Sequence, residues 1–498
     1  MIMQRVKPLS RILAEGADHE HGLKRSLGPW ALTAMGIGAI IGTGIFVLTG
    51  VASATRAGPA LTLSFVAAGI VSALAALCYA EVSSKIPISG SAYTYTYATL
   101  GEVLAWIVGW ALVLEYALGA ATVSVGWSGY FTFILHTLHI WDVPQAWQHS
   151  HWDATPGIAN LPAAAIIFLI TALLVRGTKE SGTVNAVIVA IKVSVVLFFI
   201  AVGIGHINPA NYHLPAGPQT GEGGYFPFGW AGVFGGAAFI FFAYIGFDAV
   251  STTAEEAKNP SRDLPFGIIA SLVICTVLYI VVVAILNGLV PFNTLNVNFP
   301  VAYAVDSVGL AWAGVIIAFG AIAGLTTVLL VMMYGQTRIF YAMSRDGLIP
   351  PVFVKLHPAW RTPWISQIIF GVLIAAAGAF FPISILGSLT NMGTLSAFIL
   401  VACAVPMLRN RHPELLGKFT IPFGPYVIPI LTVVSAAFLI FFLRFGNPLV
   451  WGFFPLVWLS FIIWFLVGLL FYFAYGRHKS TVALEQTEGL AVRQPPVN

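Results

Sequence analysis

Residues 36–46 read GIGAIIGTGIF and residues 234–260 read FGGAAFIFFAYIGFDAVSTTAEEAKNP. The first stretch is an apolar segment in which Thr43 is surrounded by four glycines, namely Gly36, Gly38, Gly42 and Gly44. In the second stretch, Gly246 and Asp248 interrupt an aromatic run. A glycine weakens a helix by about 1 kcal/mol relative to alanine, so we predict that both helices are broken near their middle. Close helix packing through Gly38 and Gly42 is the alternative interpretation of the first stretch.

The composition of the chain predicts a membrane protein. Of its 498 residues, 58% are hydrophobic and only 8% are charged. An ordinary soluble domain is roughly 25% charged, so most of this exterior must face lipid. The net charge of +4 is dispersed among apolar segments and forms no basic face, which argues against a nucleic-acid partner. The three cysteines lie in apolar runs and match neither a disulfide framework nor a metal-ligand pattern.

Twelve apolar segments are candidates for membrane-crossing helices, which need about 20 residues each. Segments 1 to 12 are residues 30–56, 61–85, 102–133, 161–176, 183–206, 228–256, 264–290, 311–343, 364–381, 385–407, 424–444 and 451–475. The fourth and ninth are short. None alternates as barrel strands do, so the predicted fold class is an all-α membrane protein.

The distribution of basic residues supports this count. With the N-terminus in the cytoplasm, alternate loops place all but three of the 23 Lys and Arg on the cytoplasmic side, as the positive-inside rule requires. The exceptions are Arg56, Lys192 and Arg444. We therefore predict a multi-pass protein of the cell membrane with both termini in the cytoplasm. The residues before Gly28 are polar, so we expect no cleavable signal peptide and expect segment 1 to act as the insertion signal.

The two interrupted segments, 1 and 6, occupy the same place in two successive groups of five. This arrangement is typical of an inverted five-plus-five repeat, in which paired broken helices form a substrate site at the membrane midplane. Free N–H groups at a half-helix start suit a carboxylate, and unwound carbonyls suit an ammonium group. The predicted units are a tail at 1–28, a ten-helix core at 29–420, two additional helices at 421–477 and a tail at 478–498.

Four stretches together resemble the amino acid–polyamine–organocation superfamily, and within it the bacterial members of the cationic amino acid transporter family. They are GIGAIIGTGIF at 36–46, GTKESGTVNAVIVAIK at 177–192, FFAYIGFDAVSTTAEEAKNP at 241–260 and YGQTRIFYAMSRDGLIP at 334–350. The resemblance covers about residues 28–475. It implies a leucine-transporter-like fold, in which segments 1, 2, 6 and 7 rock against segments 3, 4, 8 and 9. The eleventh and twelfth segments lie outside the repeat.

The resemblance also assigns substrate-binding residues. It implies that the substrate carboxylate meets the backbone of Gly42, Thr43 and Gly44. The carbonyls that it implies for the substrate amine are those of Ile40, Phe242, Ala243 and Ile245. The aromatic ring of Phe242 resembles the occluding gate of the family.

Two acidic residues, Glu115 and Asp248, stand in the middle of apolar stretches. A charge there costs about 2.5–3.5 kcal/mol on insertion scales, which marks both as functional candidates. The structural alternatives are a helix-capping role for Asp248 and a protonated, hydrogen-bonded acid for Glu115. Either carboxylate would attract a cationic side chain such as that of arginine or lysine. In segment 8, Met332 or Met333 would instead narrow the pocket and favour a small neutral substrate such as alanine, unless these methionines only pack or face lipid.

Lys192 is the only lysine in the interior of a predicted segment. Snorkelling to the interface is the structural alternative, but the residue lies near mid-depth. In sodium-coupled members of the superfamily a cation lies between the first, fifth and eighth segments, and in some proton-coupled relatives a lysine matched here by Lys192 takes its place. The resemblance therefore predicts that Lys192 couples transport to protons by bonding the unwound carbonyls of segment 1.

The predicted function is proton-coupled uptake of L-amino acids, cationic or small and neutral, by alternating access. A sodium-coupled carrier and an amino acid/polyamine exchanger of the same fold are the alternatives. No HExxH or GxSxG motif indicates an enzyme, and no filter motif indicates a channel. The outer loop 134–160 contains four histidines without a completing ligand pattern, so we expect neither metal nor cofactor. The expected partners are an amino acid, a proton and membrane lipid. No motif decides whether an accessory peptide or sterol also binds.

Overall fold

A computed structural model describes residues 5–8, 27–86, 91–153, 155–177, 182–415, 419–450, 452 and 454–484. Most of the two predicted tails, 1–28 and 478–498, and part of the motif at 177–192 lie outside these residues. Helix occupies every one of the twelve predicted segments. The helices of segments 2 to 5 are Leu61–Lys85, Glu102–Thr137, Leu161–Arg176 and Gly182–Gly203, and those of segments 7 to 12 are Pro260–Leu289, Ala311–Arg345, Trp364–Phe380, Ile383–Arg411, Val427–Phe442 and Leu456–Phe471.

The hydropathy of the helices identifies the chain as a multi-pass membrane protein. Within the described residues, eight helical stretches are long and apolar enough to cross a membrane. Four further apolar helices have 10–17 residues, namely Pro29–Ile40, Leu161–Arg176, Trp364–Phe380 and Val427–Phe442. The first of these continues, after an interruption, into the rest of segment 1.

The backbone of segment 1 changes direction after Ile40. The helix Pro29–Ile40 ends there, Ile41 is extended (φ −71°, ψ 105°), and helical turns resume as a π-helix at Gly44–Leu48. Further turns follow, at Thr49–Ala52, Ser53–Ala57 and Gly58–Ala60. Gly36 and Gly38 lie inside the first helix, where a Cβ would come within 2.5 Å of Ser271 and 2.3 Å of Val189 respectively. These two glycines therefore permit close packing, which for Gly38 agrees with the alternative interpretation. Of the four glycines, only Gly42 and Gly44 lie at the interruption.

Segment 6 has a corresponding interruption. Its helix Gly229–Ile240 passes into a 3₁₀ turn, Phe241–Tyr244, after which Ile245 is extended. Gly246 has φ +116°, a conformation that strains any residue with a Cβ, and the 3₁₀ helix Phe247–Glu256 begins after it.

The two interrupted regions lie against each other. A Cβ on Gly44 would be 2.2 Å from the Cα of Ala243, so only glycine permits this approach.

The helices form two groups. The first group contains segments 1, 2, 6 and 7, which contact one another. The second group contains segments 3, 4, 8 and 9, which also contact one another. Segment 5 lies between the groups and contacts segments 1, 7 and 8. Two helices absent from the sequence prediction, Ser91–Thr99 and Pro300–Ser307, precede segments 3 and 8, and a two-stranded hairpin, Leu449–Val450 with Phe454–Pro455, joins segments 11 and 12.

The two ends of the described chain lie close together. Near the N-terminus, Lys7 Nζ donates to Asp346 Oδ1 at 2.8 Å, and the Glu102 N–H donates to the Arg5 carbonyl at 2.8 Å. Near the C-terminus, the Thr481 N–H donates to the Asp346 carbonyl at 3.1 Å, and Arg5 Nη1 reaches the Arg477 carbonyl at 3.0 Å. These contacts hold the two ends of the described chain together.

Candidate functional site

A cavity of about 220 Å³ lies between segments 1, 3, 5, 6 and 8. It is smaller than the clefts of ~300–1,000 Å³ that hold drug-sized ligands, so its size suits a small solute. Its lining residues are Met35, Gly38, Ala39, Glu115, Tyr116, Lys192, Ile245, Gly246, Asp248, Ala249, Thr327, Val328, Val331 and Met332. The cavity therefore brings together Glu115, Lys192 and Asp248, the three ionisable residues that the sequence analysis proposed for substrate binding or coupling.

Lys192 is 2% exposed, and its ammonium donates a hydrogen bond of 2.8 Å to the carbonyl of Gly38. That carbonyl belongs to the last turn of the helix Pro29–Ile40, where carbonyls lack intrahelical partners and the helix dipole is negative. Gly324 of segment 8 leaves room for the lysine stem, because a Cβ there would lie 3.1 Å from Lys192 Cγ. Segments 1, 5 and 8 thus enclose one buried cation.

The neighbouring carbonyls of the same helix end are also occupied. The Ile41 N–H donates to the Ile37 carbonyl at 2.9 Å, and the hydroxyl of Tyr279 in segment 7 donates to the Ile40 carbonyl at 2.9 Å. An amine at Ile40 would therefore have to share this oxygen or displace the tyrosine. Tyr279 was missed in the sequence analysis, since a tyrosine in an apolar helix carries no signal of which distant carbonyl it reaches.

Two carboxyl groups face the same cavity. Glu115 and Asp248 are each 2% exposed, and within the described residues Glu115 Oε2 and Asp248 Oδ2 have no hydrogen-bond partner. Gly246 occupies the N-cap of the helix Phe247–Glu256, while Asp248 lies in its first turn, where a carboxylate is favoured by the helix dipole. Both side chains thus line the cavity, and each has one buried oxygen that no described residue satisfies.

Most of the backbone predicted to bind substrate lies outside this cavity. Of the residues assigned through the resemblance, Ile245 lines it, whereas Ile40, Gly42, Thr43, Gly44, Phe242 and Ala243 do not. Thr43 Oγ1 is buried and has no partner in the described part of the chain. Met332 lines the cavity, and Met333 does not.

Beyond the interruption, segment 1 is closely packed against segment 3. The hydroxyl of Tyr130 donates to the Phe46 carbonyl at 2.6 Å, and a Cβ on Gly126 would come within 2.7 Å of Val47. The cavity therefore lies on the N-terminal side of the interruption in segment 1, and beyond the interruption segments 1 and 3 are in close contact.

Two of the four histidines in the loop 134–160 lie near acidic side chains. His136 Nδ1 lies 2.6 Å from Asp142 Oδ1, and His149 Nδ1 lies 3.9 Å from Asp153 Oδ2. Over the described residues, no three His, Cys, Asp or Glu side chains are grouped as metal ligands.

Comparison with known proteins shows the family. Residues 27–472 match the family model described as amino acid permease. The chain belongs to the amino acid permease family. The permease is 47% identical over 484 residues to the branched-chain amino acid permease BcaP of Bacillus subtilis, an alignment that covers 96% of this chain and 98% of that protein.

Two further relatives carry different names. The methylthioribose transporter of B. subtilis is 45% identical over 476 residues, with 96% of this chain and 98% of that protein covered. The vacuolar cationic amino acid transporter 4 of Arabidopsis thaliana is 41% identical over 404 residues, with 80% and 65% covered. The family and these relatives are transporters, so the permease is not an enzyme.

Proposed function

We propose that the permease is a proton-coupled, sodium-independent carrier of L-amino acids that works by alternating access. The observation that carries the proposal is the hydrogen bond of 2.8 Å between the Lys192 ammonium and the Gly38 carbonyl. A lysine that gains and loses its proton at this helix end would bind and release segment 1, and no sodium ion is needed where the ammonium lies.

The cavity supports a substrate that carries an ammonium group. The free oxygens of Glu115 and Asp248 are acceptors, and neutral or cationic amino acids donate to them. The small volume and the Met332 side chain favour alanine, whereas the two carboxyl groups favour arginine or lysine. The ratio of arginine to alanine uptake measures which influence dominates.

We further propose the twelve-crossing topology, with both termini in the cytoplasm of a cell-membrane protein. The contact of Arg5 with Arg477 supports an even number of crossings, and the distribution of Lys and Arg supports the orientation. In this topology the cavity lies on the cytoplasmic side of the interruption, beside the helix Pro29–Ile40. Gly42, Thr43, Gly44, Phe242 and Ala243 would then form the upper, closed part of the substrate site.

The test is uptake by the purified permease in proteoliposomes under imposed proton or sodium gradients. The panel contains alanine, leucine, arginine, lysine and putrescine, with methylthioribose added because one close relative is named for it. We expect an inward proton gradient to drive accumulation of at least one amino acid without sodium. Accumulation that requires sodium, or uptake of methylthioribose alone, would contradict the proposal.

A further inference from the structure

Arg56, at the outer end of segment 1, is a cation that is fully buried. Its Nη1 donates to the carbonyl of Phe445 in the loop between segments 11 and 12. Its guanidinium carbon lies 4.3 Å from the centroid of the Phe239 ring in segment 6. One face of the guanidinium thus rests on an aromatic ring, and one of its three nitrogens is bonded to backbone.

The other two nitrogens of Arg56, Nε and Nη2, have no hydrogen-bond partner within the described residues. Among the same residues, Arg56 forms no ion pair. A buried charge without a counterion is costly, so a protein retains one where a ligand or a movement compensates it. Nε and Nη2 form one edge of the guanidinium, and such a two-nitrogen edge grips a carboxylate with two parallel hydrogen bonds.

The groups that contact Arg56 come from segment 6 and from the loop between segments 11 and 12. Gly446 contacts the guanidinium. Its φ is +71°, and a Cβ at this position would lie 3.3 Å from Arg56 Cζ, so both the backbone and the contact disfavour a side chain. Segment 10 holds both neighbours: Asn447 Nδ2 donates to Ser388 Oγ at 3.2 Å, and Asn391 Nδ2 donates to the Phe239 carbonyl at 2.7 Å. Displacement of the loop at Phe445 and Gly446, which segment 10 holds through Asn447, would expose the guanidinium of Arg56.

We propose that Arg56 is the carboxylate-binding residue of an outer subsite, which an arriving amino acid occupies before it reaches the central site. In the open state, Nε and Nη2 hold the carboxylate. When the substrate moves inward, the loop at Phe445 and Gly446 closes over the vacated guanidinium, as in this structure. This inference rests on the proposed function, since it takes the substrate to be an amino acid.

The test compares uptake and efflux in membrane vesicles of uniform, right-side-out orientation. For Arg56→Gln, we expect the external half-saturation concentration for alanine to rise about tenfold, as for the loss of a charge-assisted contact, with the internal half-saturation for efflux unchanged. Arg56→Lys keeps the charge but loses the two-nitrogen edge. Its external half-saturation concentration should therefore fall between those of the unaltered permease and Arg56→Gln. Arg444→Gln removes an exposed arginine at the same face and is the matched control, with unchanged kinetics expected.

Equal changes from both sides would assign Arg56 a purely structural role and overturn the subsite. A second measurement on the unaltered permease covers the case that the variants do not fold. Ethanesulfonate, an impermeant anion that has no amine and carries a sulfonate in place of the carboxylate of alanine, should compete with alanine uptake from outside and leave efflux unaffected from inside. Alanine uptake without external competition would also overturn the subsite. A permease that carries no amino acid at all would instead refute the proposed function.

Discussion

Lys192 and Arg56 are both buried cations bonded to a main-chain carbonyl, and neither forms an ion pair within the described residues. Their surroundings differ. Lys192 lines a cavity that two carboxyl groups also face, whereas Arg56 is sealed between an aromatic ring and a loop. The chemistry of the two side chains matches this difference, because an ammonium in a protein can release its proton and a guanidinium does not. A site where charge changes therefore suits lysine, and a site that needs permanent charge suits arginine.

We expect the largest effect on transport when the cation at position 192 is removed or exchanged. Lys192→Ala should abolish proton-driven accumulation, because nothing then binds the Gly38 carbonyl reversibly. Lys192→Arg keeps a charge that cannot be released, so it should also fail to accumulate substrate while retaining binding. The measurement is accumulation of labelled substrate under an imposed proton gradient, with binding followed by thermal shift. Full proton-driven accumulation by either variant would show that Lys192 does not couple transport.

The next largest effect concerns Gly44, which lies where the interrupted regions of segments 1 and 6 contact each other. Gly44→Leu should prevent segments 1 and 6 from meeting, because even a Cβ would lie 2.2 Å from Ala243 Cα. We expect the variant to fold, as judged by monodisperse extraction, but to lose substrate binding and transport. Gly28→Ala is the matched control, since a Cβ there meets nothing within 4 Å. Unchanged affinity in a folded Gly44→Leu variant would remove this region from the substrate site.

The smallest effect sharpens the role of the carboxyl groups beside Lys192. Glu115→Gln and Asp248→Asn should weaken a cationic substrate about tenfold more than alanine, because only a cationic side chain gains from the added negative charge. Competition by arginine and by alanine against one labelled substrate measures the ratio. Equal losses for both amino acids would instead favour the structural interpretations of these two residues.

Local signals in the sequence accounted for the segments and for part of the site. Long apolar runs gave the twelve helical regions, and Gly246 marked a backbone position with positive φ. Glu115, Asp248 and Lys192 stood out because ionisable groups are costly in apolar helices, and the structure brings all three to one cavity. Their roles in binding and coupling stay predictions.

Contacts between distant residues were beyond the sequence. The glycine pattern of residues 36–46 did not separate packing glycines from those at the interruption, because that depends on Ser271 and Val189, which lie far along the chain. The same holds for Tyr279 on the Ile40 carbonyl. Arg56 read as a residue at an outer helix end, and its burial depends on Phe239 and Phe445, which lie far along the chain.

The short helices of segments 4 and 9 have a consequence for the surrounding membrane. Leu161–Arg176 and Trp364–Phe380 pack against each other and contain 16 and 17 residues, which corresponds to about 24–26 Å of helix. A hydrocarbon layer is ~30 Å thick, so in the proposed topology the bilayer is compressed beside this pair. In that topology elastic strain in the lipid would act on one flank of the permease, and we expect its turnover to depend on acyl-chain length.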